Sequence, residues 1–261
     1  MDIKENIYHE VTLLVTHYNR VKSLARLLNA FEALGICFGD IVVSDDGSKV
    51  EVLEQLVLLQ SKFNFRLITT PANKGLGNNI NKGQDAVNTP YTLYVQEDFE
   101  PKPDFKLKFP QALQLFEEDA SLDIARFYAY FGYPYKKPYD NGFAKMVFKP
   151  GIWANNHLKF YAYSDHPHLR RSSFFEKFGR YPEGLKGDIT EYKMAISFLK
   201  NKGNGIFFEN YNDLFYQKNS TDEPSTMGRA SWRESKHPLA LALRAIYLQF
   251  KLINWTINYY R

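Results

Sequence analysis

Apolar positions in the first hundred residues fall into short solid runs, separated by stretches in which they recur every three or four residues. The runs are Val11–Thr16, Ile41–Ser44, Phe65–Thr69 and Tyr91–Gln96. Their length and their β-branched and aromatic content predict buried strands. Between them, Arg20–Leu34 sets Val21, Leu24, Leu27, Leu28, Phe31 and Leu34 at helical spacing. Val50–Phe63 and Gly75–Val87 read as two more helices, the last one polar. This βαβαβαβ order predicts an α/β fold, with a mostly parallel central sheet and helices on both faces.

Beyond Leu122 the pattern changes. Residues 125–143 (ARFYAYFGYPYKKPYDNGF) read as strand, loop and strand, and residues 158–163 (LKFYAY) as a further strand. Residues 164–174 (SDHPHLRRSSF) read as a surface loop leading into a helix over 172–178. A helix over 190–202 and a late strand over 205–209 follow, then a polar loop over 218–236. From about Pro238 the spacing predicts an amphipathic terminal helix. Arg244, Tyr247, Lys251, Asn254, Asn258 and Arg261 form its polar stripe, and the remaining arc, with Leu239, Leu243, Ile246, Phe250, Ile253 and Ile257, is apolar. Such a helix lies in a membrane interface, pairs with a copy of itself, or folds back on its own domain.

Composition narrows the classes. A chain of 261 residues accommodates one large α/β domain with an appendage. A formal charge of +4 points to no nucleic-acid partner. The single cysteine, Cys37, rules out an internal disulfide and a cysteine-rich metal site. The first residues contain acids and no apolar core of a secretory signal, and no run reaches membrane-span length, so the expected location is cytoplasmic.

The chemistry gathers where strands end. Thr16-His17-Tyr18-Asn19, Ser44-Asp45-Asp46-Gly47-Ser48 and Gln96-Glu97-Asp98 each follow a predicted strand. In an open α/β sheet the ligand crevice lies outside the carboxyl ends of the strands, so three such clusters converge on one site. Carboxylates there suit a ribose, the N–H groups of a base and a cation that neutralises a diphosphate. Asp-Asp-Gly-Ser is also an ordinary turn sequence. The stretch from Asn73 to Gly83 has three glycines and four asparagines at a helix start, and Asn is a poor helix former. The glycines allow a ligand to approach the backbone, and the N-terminal N–H groups attract phosphate.

VTHYNR, VVSDDGS, NKGLGNNINKG and YVQEDFEP, in this order and spacing, resemble the nucleotide-binding half of family 2 glycosyltransferases with the GT-A fold. The resemblance covers residues 11–104 closely and 160–210 more loosely. It implies a GT-A domain over residues 1–236, with a nucleotide-binding half (1–104) and an acceptor-binding half (105–236), followed by the terminal helix, 237–261. It implies that Thr16 and Tyr18 line the base pocket, that Asp46 contacts the base with Asp45 close by, and that Asp98 binds Mn2+ or Mg2+ as the end of an Asp-x-Asp signature. Asn19, Asn73, Gly75, Gly77, Asn79, Gln96 and Glu97 complete the candidate nucleotide-binding set. Gln96 stands where the signature's first Asp is expected, so the metal would be held weakly and bind with the nucleotide.

The family's general base comes from an acidic motif at the start of a helix in the second half. Here that stretch is Gly187-Asp188-Ile189-Thr190-Glu191-Tyr192, with Tyr192 at the usual Asp place. Asp188 and Glu191 are left as candidates, Glu191 first; the pair is equally a capping arrangement. His166 and His168, beside Arg170 and Arg171, offer metal or diphosphate contacts, though a plain surface loop explains them too. Lys218, Arg229 and Arg233 of the late loop are placed to close over a pyrophosphate. The aromatics Phe127, Tyr128, Tyr130, Phe131, Tyr133, Tyr135, Tyr139 and Trp153 divide between core and an acceptor cleft, since ring faces stack on sugars.

The resemblance implies a glycosyltransferase that moves a sugar from a nucleotide donor, UDP-sugar first, to a hydroxyl of a saccharide or lipid-linked saccharide acceptor. Inversion and a role in surface-polysaccharide assembly go with it. Its partners would include the inner face of the cell membrane, or a second copy, through the terminal helix. A non-catalytic binding or assembly protein on the same fold is the main alternative. A sugar-nucleotide nucleotidyltransferase fits less well, because THYNR lacks the Gly-rich phosphate loop that such an enzyme needs after its first strand.

Overall fold

The computed structural model describes residues 6–151, 153–219, 223 and 237–261. Its first half follows the predicted alternation: β1 (Asn6–His17), α1 (Val21–Ala33), β2 (Ile36–Asp45), α2 (Val50–Phe63), β3 (Arg66–Ile68), α3 (Leu76–Asp85) and β4 (Tyr91–Gln96). β1 pairs in parallel with β2 on one side and β4 on the other. Both β1 and β2 start earlier than their apolar runs. The extension NIYHE is half exposed, and the register shifts between Tyr8 and Thr12, so no solid apolar stretch marks it.

The second half departs further from expectation. After β5 (Phe99–Pro101), α4 (Phe105–Glu118) is a helix that no predicted element covered. Pro110 inside it masks a face of Phe105, Phe109, Ala112, Leu113 and Phe116, all buried. β6 (Ile124–Arg126), β7 (Lys136–Pro138) and β8 (Phe143–Met146) replace the predicted strand, loop and strand. LKFYAY is not a strand. His157–Phe160 forms a short 3-10 turn, and the buried Lys159 ammonium donates to the carbonyl oxygens of Gly151 at 2.9 Å and Ala154 at 3.0 Å. The expected surface loop contains β9 (His168–Arg171), a strand inside the sheet. α5 (Phe174–Phe178), α6 (Gly187–Lys200), β10 (Gly205–Phe208), β11 (Phe215–Gln217) and α7 (Pro238–Tyr260) complete the chain.

Nine strands make one sheet in the order β3-β2-β1-β4-β9-β6-β10-β8-β7, and β11 pairs with β5 apart from it. β9 runs antiparallel to both its neighbours, β4 and β6. Alternate side chains of each strand enter opposite cores. Leu13, Val15, Val43, Leu93 and Val95 meet α1, α2 and α4, whereas Leu14, Val42 and Tyr94 meet α3, α5 and α6. Each fully buried Leu, Val or Phe contributes about 1.5–3 kcal/mol. The two cores therefore hold the ends of β1, β2 and β4 level, and the polar clusters sit on that edge.

α7 folds back on its own domain, through part of its apolar arc together with part of its polar stripe. Leu252 and Thr256 are buried, and Trp255 stacks on Tyr192 with centroids 4.4 Å apart. From the polar stripe, Lys251 donates to the Tyr161 hydroxyl at 2.8 Å and Asn258 to the Tyr192 hydroxyl at 2.9 Å. The apolar residues Leu243, Ile246, Phe250, Ile253 and Ile257 are exposed instead. Leu239 of the predicted arc has no described side chain. Among the described residues, no helix is long and apolar enough to cross a membrane.

Candidate functional site

The edge of the sheet is welded before any ligand is considered. Asp45 is fully buried at the end of β2, and its Oδ1 lies 2.8 Å from His17 Nδ1. His17 Nε2 accepts the Arg20 N–H at 3.1 Å, which places the ring proton on Nδ1, facing Asp45. Ser48 adds its own N–H, at 2.9 Å, and its hydroxyl. Burial pushes the Asp45 carboxyl up, but these hydrogen bonds outweigh it and hold it below the usual carboxylate range. Asn19 takes a positive φ of 55°, accepts the Lys49 N–H at 2.9 Å, and donates its own N–H to Ser48 Oγ at 2.7 Å. Thr16 is buried, with its hydroxyl 3.0 Å from that of Tyr94. Tyr18, half-buried, lies at the rim.

Asp46 governs the approach to α3. Its two oxygens accept the N–H groups of Lys74 at 2.8 Å and Gly75 at 2.9 Å. Desolvation raises this carboxyl despite those bonds. Gly75 sits at φ 86°, a region that a side chain would strain, and with Asn73, Lys74, Glu183, Gly184 and Leu185 it lines a cleft of about 530 Å3. Gly77 does not border this cleft: a Cβ there would strike the Pro182 carbonyl oxygen. Its absence lets α3 pack on the 182–190 segment. Three asparagines have similar duties. Asn79 accepts the Ser44 hydroxyl at 2.8 Å and donates to His17 O at 3.2 Å. Asn78 and Asn81 donate to Glu183 at 2.8 and 2.9 Å. Of the four asparagines in this stretch, Asn73 alone is exposed and lines the cleft.

The carboxylates after β4 meet a cation from the chain itself. Arg20 Nη1 lies 3.3 Å from Glu97 and 3.5 Å from Asp98. Burial and the neighbouring Asp98 push Glu97 up to about 7. Gln217 of β11 donates to Asp98 Oδ2 at 3.0 Å, while Asp98 Oδ1 is buried without a hydrogen-bond partner. One unpartnered carboxylate oxygen fits a single bond to Mg2+ or Mn2+, and Gln96 adds only a neutral amide. No group of three or more His, Cys, Asp or Glu able to hold a metal occurs among the described residues. The donor set therefore fits a cation that is held largely by the ligand's own phosphates.

α6 presents the two acids differently. Asp188 is exposed and accepts the N–H of Ile189 at 3.0 Å, so it serves its own helix start. Glu191 is half-buried, and its Oε1 accepts the Asp165 N–H at 3.2 Å. Asp165 is itself buried, with Oδ2 unpartnered and Oδ1 accepting from the Tyr181 hydroxyl at 3.1 Å. Burial, reinforced by the charge of Glu191, drives the Asp165 carboxyl well above its ordinary value. Burial also lowers the Arg126 guanidinium to about 10, against the opposing pull of Glu191. Asp188, Glu191 and Tyr192 line a second cleft, of about 500 Å3, closed on its far side by α7.

Several expectations are corrected here. His168 and Arg170 are core residues of β9: Arg170 donates to Gln84 at 2.7 Å and lies over the Tyr94 and Phe174 rings. The His166 ring packs edge-on against Phe99, Tyr128 and Tyr130. His168 belongs to β9 whereas His166 stays in the half-buried loop before it, and burial lowers both, His166 to about 3. Lys218 pairs with Glu100 at 2.9 Å, and Arg229 and Arg233 lie outside the described residues. Of the aromatics, Phe127 and Tyr133 are buried, whereas Tyr130 and Trp153 are exposed. Sequence reasoning assigned no role to Arg20, Asp165 or Gln217. Arg20 lay within a quoted motif, so its position was on view. Asp165 and Gln217 became visible only through their contacts.

The family model for glycosyl transferase family 2 matches residues 12–179. No curated protein matches the chain by sequence. Among solved structures, S. aureus TarS 1–349 in complex with UDP-GlcNAc superposes with a TM-score of 0.60 at 18% identity, covering 85% of this chain and 62% of that one. The UDP complex of the same protein gives a TM-score of 0.56 at 18% identity, covering 82% and 62%. The chain thus spans about three fifths of these TarS structures, and at this identity the likeness is one of fold, the GT-A type. With the family segment running from β1 to α5, across all three strand-end clusters, the chain belongs to glycosyl transferase family 2.

Proposed function

We propose that the protein transfers a sugar from a nucleotide donor, a UDP-sugar in the first instance, to a hydroxyl of a saccharide or lipid-linked saccharide acceptor, with inversion, in surface-polysaccharide assembly. One observation supports this above the others. Within the family segment, β1, β2 and β4 bring Thr16, Asp45, Asp46, Glu97 and Asp98 to one edge, beside the cleft of Asn73 and Gly75. Thr16, Tyr18 and Asp46 would hold the base, and Gly75 and Asn73 the ribose and diphosphate. Asp98 would hold a divalent cation together with the donor's phosphates, and such a cation would supply the positive charge that offsets the departing diphosphate. Glu191 is the general base: it takes the acceptor proton as the acceptor oxygen bonds to the anomeric carbon and the bond to the diphosphate breaks. Exposed apolar residues of α7 would rest against the inner face of the membrane or against a second copy.

A non-catalytic nucleotide-binding role is the second reading, favoured by the Arg20 pairing of Glu97 and by Tyr192 in the acidic motif. Incubation with a panel of nucleotide sugars and Mn2+ separates the two. Donor hydrolysis is expected with at least one UDP-sugar; nucleotide binding without turnover across the whole panel would leave only the second reading.

A further inference from the structure

The cleft between α6 and α7 has an unusual outer wall. Tyr247, Lys251 and Asn254 of α7 line it, facing Asp188, Glu191 and Tyr192 of α6. On the same helix Leu243, Ile246, Ile253 and Ile257 are exposed. A helix docked for stability alone buries its apolar arc and wets its polar one. α7 leaves much of its apolar arc exposed while polar residues face the cleft, and its last part carries the following contacts. Trp255 stacks on Tyr192 with an interplanar angle of 26°, Lys251 lies over the Trp255 ring at 4.2 Å, and Asn258 bonds Tyr192 at 2.9 Å. Nearer the start of the helix, Tyr247 is 45% exposed and Phe250 67% exposed at the edge of the cleft.

The lining suits a polyhydroxylated ligand. Asp188 and Glu191 accept hydrogen bonds, whereas Lys251 and Asn254 donate them, and tyrosine rings offer flat apolar faces. At the outer edge the chemistry becomes apolar. Leu243, Ile246 and Phe250 follow at helical spacing and share one exposed face with Tyr247 beside it. A ligand that spans both regions has a sugar at one end and a hydrocarbon group at the other.

We propose that this cleft is the acceptor subsite, that α7 is its outer wall, and that Tyr247 and Phe250 select an amphipathic glycoside. Its sugar points inward to Glu191, and its apolar aglycone lies outward along Ile246 and Leu243. This rests on the glycosyltransferase reading above, with Glu191 as base. The terminal helix is then part of the substrate site as well as an appendage to the domain.

The test uses the full-length protein and two sets of probes: octyl β-glycosides of several hexoses and N-acetylhexosamines below their micelle concentrations, and the matching free sugars. Binding is followed by tryptophan fluorescence, and transfer by nucleotide release. Octyl glycosides are expected to bind and to stimulate turnover more strongly than free sugars. In the double variant Tyr247→Ala/Phe250→Ala, their dissociation constant and KM should rise about ten-fold, the loss of about 1.4 kcal/mol of contact. The melting shift with UDP should persist in that variant. Ile257→Ser, on the outward face, serves as control and leaves binding and turnover unchanged. Equal response to octyl and free forms, or no response to any octyl glycoside, overturns the proposal. So does a double variant that loses the UDP response as well, because α7 would then be a structural prop. If the wild type turns over no donor, the glycosyltransferase reading falls, and the cleft stands only if it binds octyl glycosides and the double variant weakens that binding.

Discussion

Asp46 shows how a single side chain can shape a site before any ligand reaches it. By accepting the Lys74 and Gly75 N–H groups, it fixes the loop that lines the 530 Å3 cleft. Asp46→Ala leaves two backbone donors without their partner and removes charged hydrogen bonds, at a cost of about 2 kcal/mol. A lower urea midpoint is expected, together with loss of the melting shift that UDP and Mn2+ are expected to produce in the parent protein. A retained shift would take the loop out of the nucleotide site. Glu97 makes a pH prediction. Its folded value of about 7 lies above its ordinary 4.5, so between those values the folded state holds a proton that the unfolded state has released. Its stabilising contribution is complete below the ordinary value and is lost as pH rises through 7. Against Glu97→Gln, the wild type should therefore lose relative stability from pH 4.5 to pH 7, as measured by urea titrations at each pH.

At the scale of elements, α6 holds its two acids in different settings. Asp188 accepts the Ile189 N–H, whereas Glu191 reaches the buried Asp165. Glu191→Gln is expected to lower kcat by about 10²–10⁴-fold with donor KM almost unchanged, as loss of a general base does. Asp188→Asn should change kcat little and cost a few tenths of a kcal/mol in stability. Normal kcat in the Glu191 variant would send the search for the base to Asp165. The elements differ in how far the sequence revealed them. β1, β2 and β4 were legible because apolar runs end in polar clusters, and α2 because its period is unbroken. β9 was not, because HLRR carries charges that are neutralised only in three dimensions, by Gln84, by carbonyl oxygens of Phe116 and Leu122, and by ring faces. α4 was hidden by Pro110. The glycines and asparagines of α3 were legible as a special helix start, but packing against Pro182 and Glu183 explains Gly77, Asn78 and Asn81 without a ligand.

For the whole molecule, the exposed apolar residues of α7 decide what surrounds it. Among the described side chains, six large apolar ones between Leu241 and Ile257 are exposed, including Phe250 at 67%. Such a strip on a domain in water marks an interaction surface. A chain ending at Lys236 should still respond to UDP, because every residue proposed to hold the nucleotide lies upstream. Flotation with vesicles is expected for the full-length chain and should be lost in the shortened one. A change from dimer to monomer on shortening, with no flotation of either form, would assign the strip to a second copy.

Arg20 joins distant parts of the chain. Its guanidinium contacts Glu97 and Asp98, donates to Asn219 at 2.9 Å and reaches the Glu223 carbonyl oxygen at 3.1 Å. The Glu223 carboxylate caps α1 by accepting the N–H groups of Lys22 and Ser23, each at 2.9 Å. A diphosphate that reaches Asp98 must therefore meet Arg20 and, through it, the segment around Asn219 and Glu223. Charge that arrives at Asp98 would then be felt some two hundred positions along the chain, at the start of α1 and around Glu223. In Arg20→Ala that link is broken, and the dissociation constant of UDP is expected to rise, as measured by titration calorimetry.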